Sequence, residues 1–469
     1  MKTRPFGFVA IVIAAALLLG GCSVFDTMGN WFSSGGSKSK LKGQRISVMS
    51  LEDSVKLDPT LKDKAVILPP PYRNTEWPEP GGYASNAMYH LQASGPLADV
   101  WEQDAGEGSN SDTRLTAPPI VAGGKVYVLD AKARVFAFNA TSGEPQWHVS
   151  VAPHGHQGLF NMLSFGLVGE DTRVDATKGF GGGIAFDDGK LFATTGFGDV
   201  VALDAATGKE LWRVNVGVPI SDAPVANGGR VFVSAQDNHF HAFAETNGRE
   251  LWDHQGITES AGILSSTSAA VAGEFVIAPY TSGEIYALRV QSGRPAWNDM
   301  LTRSGGVTAL SELDDIAGRP VVDRDFVFAI SHSGVMAAIN VNTGDRVWTR
   351  DLGGIQTPWV AGDFLYVLTA QSQIMCLARL DGRVKWIHQL PRLTDPTDTS
   401  SDPVVWSGPV LVSDRLVVVS SDGHAESISP YTGAMLGRME IPGGAFIAPV
   451  VANDTLYLLT NDATLVALR

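Results

Sequence analysis

An all-β chain closed into an eight-bladed propeller is expected from three observations. A glycine stands four residues ahead of a tryptophan at Gly143/Trp147, Gly208/Trp212, Gly248/Trp252, Gly293/Trp297, Gly344/Trp348 and Gly382/Trp386. The text around each pair repeats, as in "VVALDAATGKELWRVNVG" and "VMAAINVNTGDRVWTRDLGG". Successive pairs lie 38 to 65 residues apart, which brackets one four-stranded blade with connections of variable length.

Each element of that expectation has a local cause. Thr-Gly, Asn-Gly, Ser-Gly and Asp-Gly dipeptides between apolar runs supply the positive φ of a hairpin turn, and two further apolar runs precede each hairpin. The runs, such as "KVYVL", "RVFVSA" and "FLYVLTA", are continuously apolar, so both faces of each sheet are buried. The units are 117–151, 182–217, 223–256, 268–301, 319–354, 357–391 and 408–443, with a short last one at 448–469. The seventh has the turn but carries Gly437 where a Trp is expected, which predicts a looser junction there. The last ends after a third strand, whereas "ADVWEQDAG" around Trp101 is a fourth strand with no unit ahead of it. Pairing the two would close the ring over 97–469 and remove an exposed edge. Trp101, Trp147, Trp212, Trp252, Trp297, Trp348 and Trp386 are then blade-docking residues.

The N-terminus reads differently. Lys2 and Arg4, the apolar run Phe8 to Leu19 and small residues after it make 1–21 a signal peptide, with a run too short to span a membrane comfortably. It ends in "LGGC", which resembles the bacterial lipobox; that resemblance implies diacylglyceryl and N-acyl chains on Cys22, a stable anchor. Ser23 follows rather than the Asp that retains such lipoproteins in the inner membrane, so the resemblance points to the outer membrane and its periplasmic face. Residues 22–96 turn to Ser, Gly, Lys and Pro, as in "SSGGSKSK" and "LPPPYRNTEWPEPGG". They are expected to form a lipidated, partly disordered tether, with a root-mean-square reach of roughly 45 Å for about 70 flexible residues. Trp77 and Tyr83 are candidates to pack on the ring.

Composition and motifs argue against several chemistries. The chain has 49 Asp and Glu against 35 Lys and Arg, a formal charge of −14, and no basic stripe, which argues against nucleic acid as a partner. Cys376, in the strand "QIMCLARL", is expected to be a buried inert thiol. His154 and His156 form an H-x-H pair without a third ligand at a recognisable spacing, so no metal site is expected. "GFGGG" at 179–183 lacks the Lys-Ser/Thr of a phosphate loop, and no G-x-S-x-G elbow occurs.

The repeats resemble those of the pyrroloquinoline quinone dehydrogenases, whose eight-bladed propellers share the Trp docking motif. The resemblance implies the fold over 97–469. It does not carry the chemistry, because those enzymes close over the quinone with a disulfide between adjacent cysteines and bind Ca²⁺ near a catalytic Asp. This chain has no Cys-Cys pair and no convergent set of oxygen ligands in sequence. No catalytic residue and no cofactor are therefore assigned. "LGGC", the repeats and the loop "TALSELDDIAGRPVV" together resemble the outer-membrane protein assembly factor B lipoproteins of Gram-negative bacteria.

Membership there implies a non-enzymatic scaffold of the β-barrel assembly machinery that docks on the POTRA domains of BamA, with nascent outer-membrane proteins as further partners. The contact loops implied are those entering the fourth and fifth blades. Asp315 stands at the partner-binding Asp, Ala317 replaces the next acidic position, and Asp314 is a substitute for it. "GITESAGILSS" lacks the family's basic residue, which leaves Ile257, Ile263 and Leu264 as apolar candidates. The alternative is an anchored periplasmic quinoprotein-type enzyme or another ligand-binding propeller.

Overall fold

A computed structural model describes residues 55–93, 95–111, 113–153, 181–259, 267–303 and 314–469. Contacts divide the chain into Met1–Ser54 and Val55–Arg469. The second unit is built from eight antiparallel four-stranded sheets, the blades of a propeller.

Blades 1 to 7 occupy 120–150, 182–215, 225–255, 270–300, 321–350, 359–389 and 406–440, each running outward in sequence order. Blade 8 takes three inner strands from 450–468 and its outer strand from Asp99–Asp104, with Trp101 opposite Ala467. The ring thus closes by pairing the two ends of the propeller sequence, as the orphan strand around Trp101 requires.

Burial follows the apolar runs. Phe364–Leu368 and Trp406–Val412 are buried at every residue, as expected of strands covered by neighbouring blades on both faces. Outer strands such as Met435–Glu440 are largely exposed.

The tryptophans join blade to blade. In the outer hairpin Trp147, Trp212, Trp252, Trp297 and Trp348 each pair with an alanine, and Trp386 pairs with Cys376. The register shifts just beyond, a bulge that increases local twist and re-aims the side chain. Each ring then lies on the turn glycine of the next blade. A Cβ on Gly143 would sit 2.6 Å from Cδ2 of Trp101, and its φ of 74° already demands glycine. Cys376 is therefore the small residue facing a wedge, and burial pushes its thiol pKa well up.

A second tie accompanies the wedge. The carbonyl three residues before the turn glycine accepts the indole N–H of the preceding blade: Trp212 to Glu245 at 2.8 Å, Trp252 to Val290 at 2.9 Å, Trp297 to Val341 at 2.7 Å and Trp348 to Arg379 at 2.9 Å. Trp147 Nε1 has no partner; in its blade the Tyr127 hydroxyl reaches that carbonyl, Ala205, at 3.0 Å. Tyr457 does the same for Ala140 beside Trp101, and Tyr366 joins Trp386 on Pro430.

The junction between blades 7 and 8 lacks both parts. A Cβ on Gly437 would meet nothing within 4 Å, and blade 8 has no outer hairpin, because its third and fourth strands are the end and the start of the propeller sequence. The N-terminal segment bridges the gap instead. Leu91 exchanges backbone hydrogen bonds with Leu411 and Ser413 of blade 7 at 3.2 and 2.9 Å, Ala93 bridges to Asp454 of blade 8, and Arg415 donates to the Gly95 carbonyl at 2.8 Å. The looseness expected from sequence overlooked this bridge, which no local pattern announces.

Candidate functional site

The described part of the tether, from Val55 onward, lies against the ring. Leu57 bridges to Val384 at the outer strand of blade 6, and Asp58 caps a short 3-10 turn, Pro59–Leu61, by accepting the Thr60 N–H at 2.8 Å. Lys385 donates to the Leu61 carbonyl at 2.8 Å. Residues 74–91 then cross one mouth of the central channel as a strap.

The strap visits the blades in order. The Asn74 carbonyl accepts from Asn453 of blade 8 at 2.7 Å, and Trp77 exchanges two backbone bonds with Val121 of blade 1. Pro78 accepts from Phe186 of blade 2 at 2.8 Å, and Glu79 Oε1 accepts from Ala226 of blade 3 at 3.1 Å. Ala84 accepts from Val271 of blade 4 and Ser85 from Val322 of blade 5, at 2.6 and 2.9 Å. Tyr89 accepts the Trp359 indole N–H of blade 6 at 2.6 Å, and Leu91 completes the circuit at blade 7. A chain without strand pairing of its own thus satisfies its backbone on the inner strands of the ring.

Behind the strap lies an axial cavity of about 440 Å³. Trp77, Pro80, Gly81 and Asn86 form its floor, and Trp77 stacks on Trp359 at 6.5 Å between ring centroids. Asn86 is fixed by donating to the carbonyl of Pro320 at 2.9 Å. Arg114, Arg319, Gln356 and Phe446 lie on its wall, from connections between blades. Those connections enter the inner strands at the end opposite the strap. The channel is a well, closed on the strap face and lined toward the other face by the interblade loops.

The described parts of the loops singled out in the sequence are on that other face. Ile257, in the connection from blade 3 to blade 4, is 49% exposed, while its N–H donates to Glu284 Oε2 at 2.7 Å and its carbonyl accepts from Asn238. The backbone is pinned and the side chain is presented. Asp314 is partly exposed. Asp315 is only 3% exposed, and its carbonyl accepts the His332 N–H at 2.9 Å. There it adds to the burial that raises the Asp222 carboxyl well above the ordinary range, an effect opposed by the Arg319 charge; burial lowers Arg319 itself to about 10. Cys22, His154, His156, Ile263 and Leu264 lie outside the described residues. Gly182 and Gly183 open the inner strand of blade 2.

The sequence did not single out Glu79, Asn86 or Asp222. Their neighbours come from distant segments, and none sits in a periodic pattern. Among the described residues no group of three His, Cys, Asp or Glu is placed to hold a metal ion.

Comparison with known proteins places this geometry. Residues 86–171 and 167–388, well over half of the chain, match the family described as Outer membrane protein assembly factor BamB. The chain belongs to the BamB family. A BamB from Burkholderia pseudomallei is 25% identical over 381 residues, covering 80% of this chain and 88% of the relative. One from Shewanella oneidensis is 26% identical over 361 residues, covering 76% and 85%. Among solved structures, BamB from Moraxella catarrhalis superposes with a TM-score of 0.62 at 18% identity, covering 80% of this chain and 100% of that one. The quinohemoprotein alcohol dehydrogenase of Comamonas testosteroni gives 0.61 at 13% identity, covering 87% and 82%, which shows a shared fold.

Proposed function

We propose that this chain is a non-enzymatic scaffold of the β-barrel assembly machinery, anchored to the periplasmic face of the outer membrane by lipid on Cys22 and docked on the POTRA domains of BamA. Membership of the BamB family, whose members are named as outer-membrane protein assembly factors, supports the assembly role. The observation that carries the docking surface is the presentation of Ile257 on a pinned backbone, on the face that the strap leaves uncovered. An exposed apolar side chain held by a rigid ring loses little order on binding, which favours recognition. Ile263 and Leu264 follow Ile257 closely in sequence as further apolar contacts, and the next connection contributes Asp314. Asp315, the position that the family resemblance implies for partner binding, follows directly after it, largely buried. The ring orients the POTRA domains and nascent outer-membrane proteins pass beside it, so the protein acts by placement.

The quinoprotein-type reading has the axial cavity and the shared fold in its favour. The residues present do not fit it. A Ca²⁺ ion wants several ionised oxygens together, whereas no Asp or Glu stands among the described residues lining the cavity and Arg114 and Arg319 do. Titration with pyrroloquinoline quinone and Ca²⁺ should therefore give no stoichiometric chromophore.

The test of docking is co-purification of BamA from membranes with the full chain carrying Ile257→Asp and Asp314→Lys. Loss of BamA, with the thermal midpoint of the variant unchanged, is expected. Retention of BamA at the level of the unmodified chain would remove these two residues from the interface.

A further inference from the structure

We propose that Glu79 and Glu245, gathered around Asp187, form a proton-operated latch, which seats the strap on blades 2 and 3 when the two glutamates are protonated and loosens it when they ionise. Three segments bring the carboxylates together. Glu79 lies in the tight turn of the strap in which Glu79 and Gly82 exchange backbone hydrogen bonds at 3.0 and 2.9 Å. Asp187 ends the inner strand of blade 2, directly after Phe186, whose N–H holds Pro78. Glu245 follows the third strand of blade 3, and its carbonyl receives the wedge of blade 2, Trp212, at 2.8 Å.

The geometry leaves the latch unsatisfied in its charged form. Glu79 is 3% exposed; its Oε1 accepts the Ala226 N–H, while its Oε2 has no partner. Glu245 is buried too, and its Oε1 has no partner. A carboxylate with a lone oxygen facing protein and a second acid nearby is poorly solvated, and a proton on that oxygen relieves both conditions. Among the described residues the cation acting on the group is Lys190, which opposes the Glu245 shift but pairs at 3.1 Å with the exposed Asp188. No described cation balances Glu79, toward which Asp187 and Glu245 both direct negative charge.

Direction follows from these contacts. Burial, assisted by those neighbouring acids, raises Glu79 well above its ordinary 4.5, and burial with the Asp187 hydrogen bond brings Glu245 to about 7. The seated strap therefore binds protons that an unseated strap releases. Its seating is strongest below about 4.5, declines as pH rises through about 7, and levels off once Glu79 and Glu245 are both ionised. Lifting this stretch would uncover the Trp77 floor of the axial well.

Hydrogen–deuterium exchange of the full chain tests the latch. After correction for the intrinsic pH dependence of exchange, protection of peptides covering 74–91 and of the Phe186 and Ala226 amides should fall at least about tenfold between roughly pH 5.5 and pH 8, since one unit of displaced pKa is a factor of ten. Protection around Leu57–Leu61 on blade 6 should stay level. Glu79→Gln keeps an acceptor for Ala226 and removes the charge, so it should flatten the response. Glu245→Gln should reduce it and serves as the second arm if the first variant does not fold. Protection of the strap independent of pH, or a slope unchanged in the glutamine variants that fold, would overturn the proposal.

Discussion

Trp297 and Trp147 occupy equivalent positions, yet they are not equally tied. Trp297 donates to Val341 at 2.7 Å, whereas Trp147 Nε1 has no acceptor and the Tyr127 hydroxyl bonds the equivalent carbonyl. Trp297→Phe should therefore cost about 1 kcal/mol more than Trp147→Phe, the net worth of one buried hydrogen bond, as read from urea midpoints. The reverse order would show that the indole N–H is not part of the tie. The turn glycines are as demanding. A Cβ on Gly433 would lie 2.7 Å from Trp386 at a φ of 74°, so Gly433→Ala should destabilise by roughly 1–3 kcal/mol. At this scale the sequence was informative about the wedge, since glycine and tryptophan recur at a fixed spacing. The hydroxyl that bonds the same carbonyl is visible only as a tyrosine in "KVYVL", "FLYVL" and "TLYLL", and its partner lies in the next blade.

The strap is the element least legible in the sequence. Residues 74–91 are rich in Pro, Gly and Asn, and they have neither the period of a strand nor that of a helix. Composition of this kind describes a chain that cannot form its own ladder, and it says nothing of ladders offered by neighbours. Asn74 shows the dependence: its amide donates to Glu76 and to Val451, the latter at 2.9 Å, and its oxygen accepts the Tyr83 hydroxyl at 2.7 Å. Asn74→Ala leaves these buried groups without partners, so a loss of about 1–3 kcal/mol is expected, checked by thermal or urea unfolding. Exchange should also rise at Val451 and Asn453 of blade 8. An unchanged midpoint would mean that the strap rests on the ring without stabilising it.

At the scale of the whole molecule, the ring closes twice. Asp99–Asp104 completes blade 8, and the strap runs once round the channel mouth before that strand begins. The first closure was legible from an orphan strand and a truncated repeat, because both ends of the pairing leave a mark in sequence. The second was not, since its contacts pair residues up to several hundred positions apart. The absence of a wedge at Gly437 makes sense only with both closures in view: there is no outer hairpin in blade 8 to receive it, and Leu91 to Gly95 bridges the junction. Gly437→Trp should accordingly give no stabilisation, since the new ring would have no turn glycine to rest on. A rise in the urea midpoint would show an available seat.

Among the described residues, the strap covers one face of the ring and the interblade loops lie on the other. Site-specific photo-crosslinking in cells tests that division most directly, with a photoreactive residue at Ile257 on the open face and at Tyr83 in the strap, both exposed. An adduct with BamA from position 257 and none from position 83 is expected. An adduct from position 83 alone, or none from either position in cells where the chain co-purifies with BamA, would contradict docking through the open face.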